Sequence, residues 1–194
     1  MTLRAILVAL LLLVSATEGQ TYNHLRGSRS AYLARAARQP IDWRPWGEEA
    51  FALARKLDRP ILLDVGATWC GWCNRMDRES YTRPEVAGFI NRNFIAVKVD
   101  YDADPKFSAR LERAQAVLNL PAGLPLTGFI TPAGKLYHGG SYFPGKPRMI
   151  RGERVPALRA ALDEALRLYR TERSSIERDG FQVWPQLEAG SGPQ

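Results

Sequence analysis

Two cysteines occur in the chain, and two residues separate them: Cys70-Gly71-Trp72-Cys73. Such a pair does redox chemistry when the first thiol sits where a strand gives way to a helix. Unpaired backbone N–H groups and the helix dipole then favour the thiolate of Cys70, the nucleophile. Cys73, one turn further on, is placed to attack a mixed disulfide and release the substrate. The loop the pair would close is too small to staple a fold, and disulfide scaffolds carry several cysteines spread along the chain. A chemical role is therefore favoured. Two metal readings compete. Half of a zinc site has this spacing but needs two more ligands, for which the chain offers His24 and His138 and no second cysteine pair. A copper-handling site needs a third ligand, with Met76 or His138 available. No Gly-x-Gly-x-x-Gly is present, and neither a cofactor nor a metal is predicted.

The elements around the motif suit the redox role. Ile61-Leu62-Leu63-Asp64-Val65, bounded by Pro60 and Gly66, is a short apolar run of the buried-strand type, and a helix is predicted from Gly71 to about Arg78. Before them, Pro45 is expected to open a helix in which Ala50, Leu53, Ala54 and Leu57 form one buried face. After them come a helix from Pro84 to about Asn91, a strand Phe94–Val99 and a helix Asp104–Leu118. A hairpin of strands Leu126–Ile130 and Lys135–His138 follows, and a last helix is marked by Leu158, Ala161, Leu162, Ala165 and Tyr169. This alternation predicts an α/β sandwich whose sheet is made mixed by the hairpin.

The chain has 194 residues and a net charge of +7, with its arginines scattered between apolar positions. Nucleic-acid binding would require a clustered basic face with stacking aromatics, so no nucleic-acid partner is expected. Residues 1–16 resemble a signal peptide: Arg4, an apolar run from Ala5 to Val14, then Ser15-Ala16. The run is shorter than the ~20 apolar residues that span a bilayer. Cleavage after Ala16 is therefore expected over retention as an anchor, and with it an exported, periplasmic or secreted location. Residues 17–44 are read as an extension packing on the domain, 45–170 as the domain, and 171–194 as a polar tail.

The segment Asp64-Val65-Gly66-Ala67-Thr68-Trp69-Cys70-Gly71-Trp72-Cys73 resembles the active-site segment of thioredoxins. The resemblance implies a three-layer sandwich with a central mixed β-sheet flanked by helices. It also makes Asp64 a buried acid that exchanges a proton with Cys73; a carboxylate in an apolar strand should have a raised pKa. Lys98 falls where thioredoxins carry a lysine near that acid, although a surface lysine fits equally well. Leu124-Pro125, just before Leu126–Ile130, matches the thioredoxin cis-proline that shapes the groove for an extended substrate; Pro121 lies four residues too early. Trp69, Gly71, Trp72 and Leu124 are the expected substrate-contacting residues. Trp43 and Trp46 are expected to pack the extension onto the domain.

A closer likeness runs from Asn23 to Arg148. Asn23-His24-Leu25, Tyr32-Leu33, Pro40-Ile41-Asp42-Trp43-Arg44-Pro45-Trp46-Gly47-Glu48-Glu49-Ala50-Phe51 and Gly139-Gly140-Ser141-Tyr142-Phe143-Pro144 resemble the thioredoxin-like family that includes the spermatogenesis-associated thioredoxin-like proteins. Long members of that family carry a further α/α barrel, which the resemblance does not reach, so no carbohydrate activity is carried over. The family's motif has His after each Cys; here those positions are Gly71 and Asn74, closer to an ordinary thioredoxin. The resemblance implies a thiol–disulfide oxidoreductase acting on disulfide-containing proteins and recharged by a membrane or soluble redox partner. Strong oxidants of this fold tend to carry a His in the dipeptide, so Gly71-Trp72 suggests a reductant. The competing class is a non-catalytic module holding a peptide or metal on the same scaffold.

Overall fold

The computed structural model describes residues 22–184. Its centre is a five-stranded sheet in the order β2 (Ile95–Asp100), β1 (Ile61–Gly66), β3 (Leu126–Ile130), β4 (Lys135–Gly140) and β7 (Phe181–Gln182). Strand β1 runs parallel to β2 and antiparallel to β3. Strand β4 pairs antiparallel with β3 and with the two-residue β7. All six residues of β1 are buried, which is why it reads as a continuous apolar run with no alternation.

Strand alternation divides the core into two layers. Leu62, Ala96 and Phe129 face one side, where they meet α1 (Ala31–Ala36), α4 (Pro84–Asn93) and α6 (Leu158–Thr171). Ile61, Leu63, Val65, Ile95, Val97 and Val99 face the other, against α2 (Glu48–Leu57) and α5 (Pro105–Val117). Between β1 and α4 the chain forms α3 (Gly71–Met76), which continues into one turn of π-helix, Asp77–Tyr81. The arrangement is the predicted α/β sandwich with a mixed sheet.

Local chemistry explains several boundaries. Asp104 caps α5, its Oδ1 accepting the N–H groups of Lys106 and Phe107 at 3.0 and 3.1 Å. Pro84 sits in the first turn of α4, where a missing N–H costs nothing. Helix α2 starts three residues after Pro45, at Glu48, with Gly47 as its cap.

The structure corrects the reading of residues 171–194 as a polar tail. From 171 to 184 the chain is folded: α7 (Arg173–Asp179) leads into β7, and Val183 and Trp184 are buried. The Val183 N–H donates to the Gly134 carbonyl at 2.8 Å, and the Trp184 ring stacks on Phe51 at 4.6 Å. The apolar anchors are separated by charged residues, so no periodicity announced them. A small antiparallel ribbon, β5 (Arg148–Ile150) with β6 (Glu153–Val155), also lies outside the sequence expectations. The leader at 1–16 lies outside the described residues, as do 17–21 and 185–194.

Residues 22–44 do more than pack on the surface. Arg44 bridges to Val97 in parallel fashion: its N–H donates to Ala96 and its carbonyl accepts from Lys98. Trp43 lies wholly in the core, edge-on to Tyr81 at 5.0 Å. Trp46 packs instead in the opposite layer, against Phe51, Phe107 and Trp184.

Candidate active site

Strand β1 delivers the chain to a short loop, Ala67-Thr68-Trp69, and Cys70 follows as the N-cap of α3. The Cys70 sulfur accepts the Cys73 N–H at 3.1 Å, as a capping oxygen would. Cys70 and Cys73 are joined as a disulfide, with Cα atoms 5.3 Å apart. The two sulfurs are unequally placed. Cys73 is 1% exposed and Cys70 6%, while Trp69 and Trp72 on either side of Cys70 are 64% and 39% exposed. Only the first cysteine therefore approaches the surface, inside an aromatic rim. Trp69 is held by its indole N–H donating to Asp102 at 2.8 Å; Trp72 leans on Tyr142 at 4.7 Å. Gly71 is exposed, with open space where a side chain would be.

Leu124 packs against the small cluster of Tyr32, Ala67, Cys70 and Cys73. The Leu124–Pro125 peptide is cis, and Pro125 is buried at the head of β3. Beside them opens a cleft of about 580 Å³, lined among others by Trp72, Leu124, Gly140, Tyr142, Arg151 and Arg154. The β5–β6 ribbon forms one wall of it.

Behind the disulfide lies a buried polar cluster centred on Asp64. The parallel register sets Asp64 opposite Lys98, and both side chains emerge on the face that also carries Leu62 and Ala96. Lys98 Nζ donates to Asp64 Oδ2 at 2.5 Å and to Asp77 Oδ1 at 3.0 Å. Tyr32 donates to Asp64 Oδ2 at 2.9 Å, and Tyr81 to Oδ1 at 3.0 Å. Three rings surround the ammonium: Tyr32, Trp43 and Tyr81, at 4.6, 5.0 and 5.2 Å from Nζ. The surface alternative for Lys98 is thereby excluded. The apolar setting expected around Asp64 is corrected too, because the carboxylate is met by an ammonium and two phenols.

These neighbours bias proton positions. Burial pushes the Tyr32 and Tyr81 hydroxyls well above their usual range, and the nearby Asp64 charge adds to it. For Lys98, burial opposes the charged form, yet Asp64 and Asp77 outweigh it and hold the amine above its ordinary value. The turn of π-helix carries both Asp77 and Tyr81 to the cluster; such single turns recur at functional sites.

Of the sequence-chosen residues, the structure brings together Cys70, Cys73, Trp69, Gly71, Trp72 and Leu124, with Pro125 adjoining and Asp64 behind. Tyr32, Asp77 and Tyr81 were missed. Their separations from Asp64 are long or follow no motif, and aromatic residues in amphipathic stretches read as ordinary core. The signal available for Tyr32 was its place in the Tyr32-Leu33 segment of the family resemblance. Asn74 ties its surroundings together, donating to the Thr68 carbonyl at 3.0 Å and accepting from Arg35 at 2.6 Å. The three side chains considered as extra metal ligands are engaged elsewhere. His24 pairs with Asp42 at 3.0 Å, His138 stacks on Phe129, and the Met76 sulfur accepts the Phe143 N–H at 3.5 Å.

Comparison with known proteins accords with this geometry. Residues 22–188 match the thioredoxin-like DsbH model, described as "Protein of unknown function, DUF255". Human spermatogenesis-associated protein 20 is 36% identical over 146 residues, which are 75% of this chain and 19% of that protein. The rat protein is also 36% identical, over 132 residues, or 68% of this chain and 17% of that one. The chain thus spans about a fifth of the length of these curated relatives. The thiol:disulfide interchange protein DsbD of Vibrio vulnificus is 30% identical over 103 residues, covering 47% of this chain and 17% of its own length. Among solved structures, a DsbH oxidoreductase superposes with a TM-score of 0.50 at 21% identity, covering 66% of this chain and 85% of that one, a likeness of fold. A thioredoxin-like fold that presents a Cys-x-x-Cys disulfide at a helix cap, matched over residues 22–188, makes this chain a member of the DUF255 family of thioredoxin-like proteins.

Proposed function

We propose that this chain is an exported thiol–disulfide oxidoreductase that reduces disulfides in protein substrates. The carrying observation is the asymmetric disulfide: Cys70 at the mouth of the site, capping α3 through its sulfur, and Cys73 buried behind it. In the dithiol form the Cys73 N–H and the helix terminus favour the Cys70 thiolate. Cys70 attacks a substrate sulfur, and Cys73 then attacks Cys70 and frees the reduced substrate. Trp69, Trp72 and the cleft beside Leu124-Pro125 offer an apolar bed for an extended segment. A membrane or soluble partner returns the pair to the dithiol. The uncharged Gly71-Trp72 dipeptide supports the reducing direction, and the Arg4 to Ala16 leader pattern supports export. The names of the DsbD and DsbH relatives support exchange chemistry.

The deciding experiment is the reduction potential of the Cys70–Cys73 pair, measured by equilibration against glutathione or dithiothreitol with trapping of free thiols. A value of about −250 mV or below, near thioredoxin, is the expected result. A value nearer about −120 mV would mark an oxidant. A pair that forms no intramolecular disulfide would overturn the oxidoreductase reading in favour of a binding module.

A further inference from the structure

The proposed exchange requires Cys73 to lose its proton when it attacks and to regain one when the disulfide is reduced. Cys73 is buried, so water is a poor acceptor there. Asp64 is the acid expected for the task, but Lys98, Tyr32 and Tyr81 occupy both of its oxygens. The route to it is marked by a glycine. A methyl built on Gly66 would overlap the Tyr32 hydroxyl and stand 3.0 Å from the Cys73 sulfur. Hydroxyl and sulfur thus border the same point at the end of β1, space that a side chain at position 66 would take. Tyr32 is fully buried, in one cluster with Ala67, Cys70 and Cys73, and its hydroxyl already donates to Asp64 at 2.9 Å.

We infer that Tyr32, supplied by α1 outside the strand–Cys–helix unit, is the proton relay through which Asp64 acts on Cys73. The inference rests on the exchange chemistry proposed above. In the resolving step the Cys73 S–H bond breaks, and its proton passes to the Tyr32 oxygen as the Tyr32 proton passes to Asp64. The Cys73 sulfur bonds to Cys70, the bond from Cys70 to the substrate sulfur breaks, and its electron pair leaves with the substrate as thiolate. The two cysteines are oxidised and the substrate is reduced. When the partner dithiol reduces the pair, Cys73 departs as thiolate and the protons return along the same path. The high proton affinity that burial and Asp64 give the phenol keeps it protonated at rest. The charged and titratable groups around the path are Asp64 on β1, Lys98 on β2, Asp77 and Tyr81 on the π turn, and Arg35 on α1, whose guanidinium lies 5.8 Å from the Tyr32 ring.

Reduced protein mixed with 5,5′-dithiobis(2-nitrobenzoate) separates the steps. Attack by Cys70 releases one thionitrobenzoate, and resolution by Cys73 releases the second. Followed by stopped flow from pH 5 to 9, Tyr32→Phe should lower the ratio of second-phase to first-phase rate about a hundredfold near neutral pH, the scale of general acid–base assistance. The deficit should shrink as pH rises and hydroxide replaces the relay. Asp64→Asn should do the same, and the double variant should be no slower than either single one, as for two members of one path. A Tyr32→Phe second phase with wild-type rate and pH profile overturns the inference, as does equal slowing of both phases. If Tyr32→Phe fails to fold, trifluorotyrosine at position 32 keeps ring and hydroxyl while changing phenol acidity. It should move the pH midpoint of the second phase alone, and an unmoved midpoint overturns the inference. A wild-type protein with no second phase fails at the exchange chemistry itself.

Discussion

Asp64 and Lys98 are register partners on adjacent parallel strands, and the Lys98 ammonium touches the Asp64 carboxylate at 2.5 Å where solvent reaches neither. Removing one member of such a pair strands the other charge, which typically costs about 3–5 kcal/mol. Lys98→Met is therefore expected to lower unfolding free energy by that order in urea titration. Adding Asp64→Asn should recover part of the loss. Equal stability of Lys98→Met and wild type would mean that the two tyrosines alone suffice for the carboxylate.

Trp184 closes the far layer, stacked on Phe51 and edge-on to Trp46 at 5.8 Å. Truncating a buried aromatic costs about 3–5 kcal/mol. Trp184→Ala is expected to lose that much, and a chain ending at residue 171 to lose more, since α7 and β7 go with it. Thermal melts of the three proteins give the ranking.

Burial lowers the His138 imidazole pKa below its ordinary 6.5, with Glu164 acting weakly against it. The unfolded chain therefore takes up this proton near pH 6.5 and the folded chain at lower pH. Between those values the unfolded state binds more protons, so stability falls as pH drops, and the fall flattens below the folded value. His138→Phe, which keeps a ring against Phe129, should reduce the loss of melting temperature between pH 7 and pH 5. An unchanged loss would assign the acid sensitivity to other groups.

Gly66 leaves room for the Tyr32 hydroxyl beside the Cys73 sulfur. Gly66→Ala forces one of them aside, an overpacking that usually costs about 1–3 kcal/mol. Reduced stability is expected, together with slower closure of the disulfide after reduction. Unaltered closure in a folded Gly66→Ala protein would show that the space beside Gly66 is not needed in the dithiol state.

The centre of the fold was legible because its signals are local. A continuous apolar run before Cys70, Asp104-Pro105 at a helix start and the Thr131–Gly134 turn each act within a few residues, and each has its counterpart in the structure. Three of the features that escaped did so for plain physical reasons. Strand β7 is two residues long, too short to show a period. The π turn at Asp77–Tyr81 has no composition of its own. Tyr32 reaches Asp64 across 32 positions, and nothing local distinguishes its hydroxyl from that of a core tyrosine. Asp64 was picked out by the resemblance of its segment to that of thioredoxins, but the company it keeps depends on three elements that no single window of sequence contains.

Residues 22–44 supply Tyr32 and Trp43 to the chamber behind the disulfide, while the sulfurs themselves stand at the cap and in the first turn of α3. The chamber behind the disulfide therefore draws on more of the chain than the strand, loop and helix that carry the cysteines. Transplanting the strand and its Cys-Gly-Trp-Cys loop into another scaffold would move the nucleophile and leave its insulation behind. Modularity in this protein has to be counted from α1, and any unit cut from it that keeps the buried polar cluster whole begins before Tyr32.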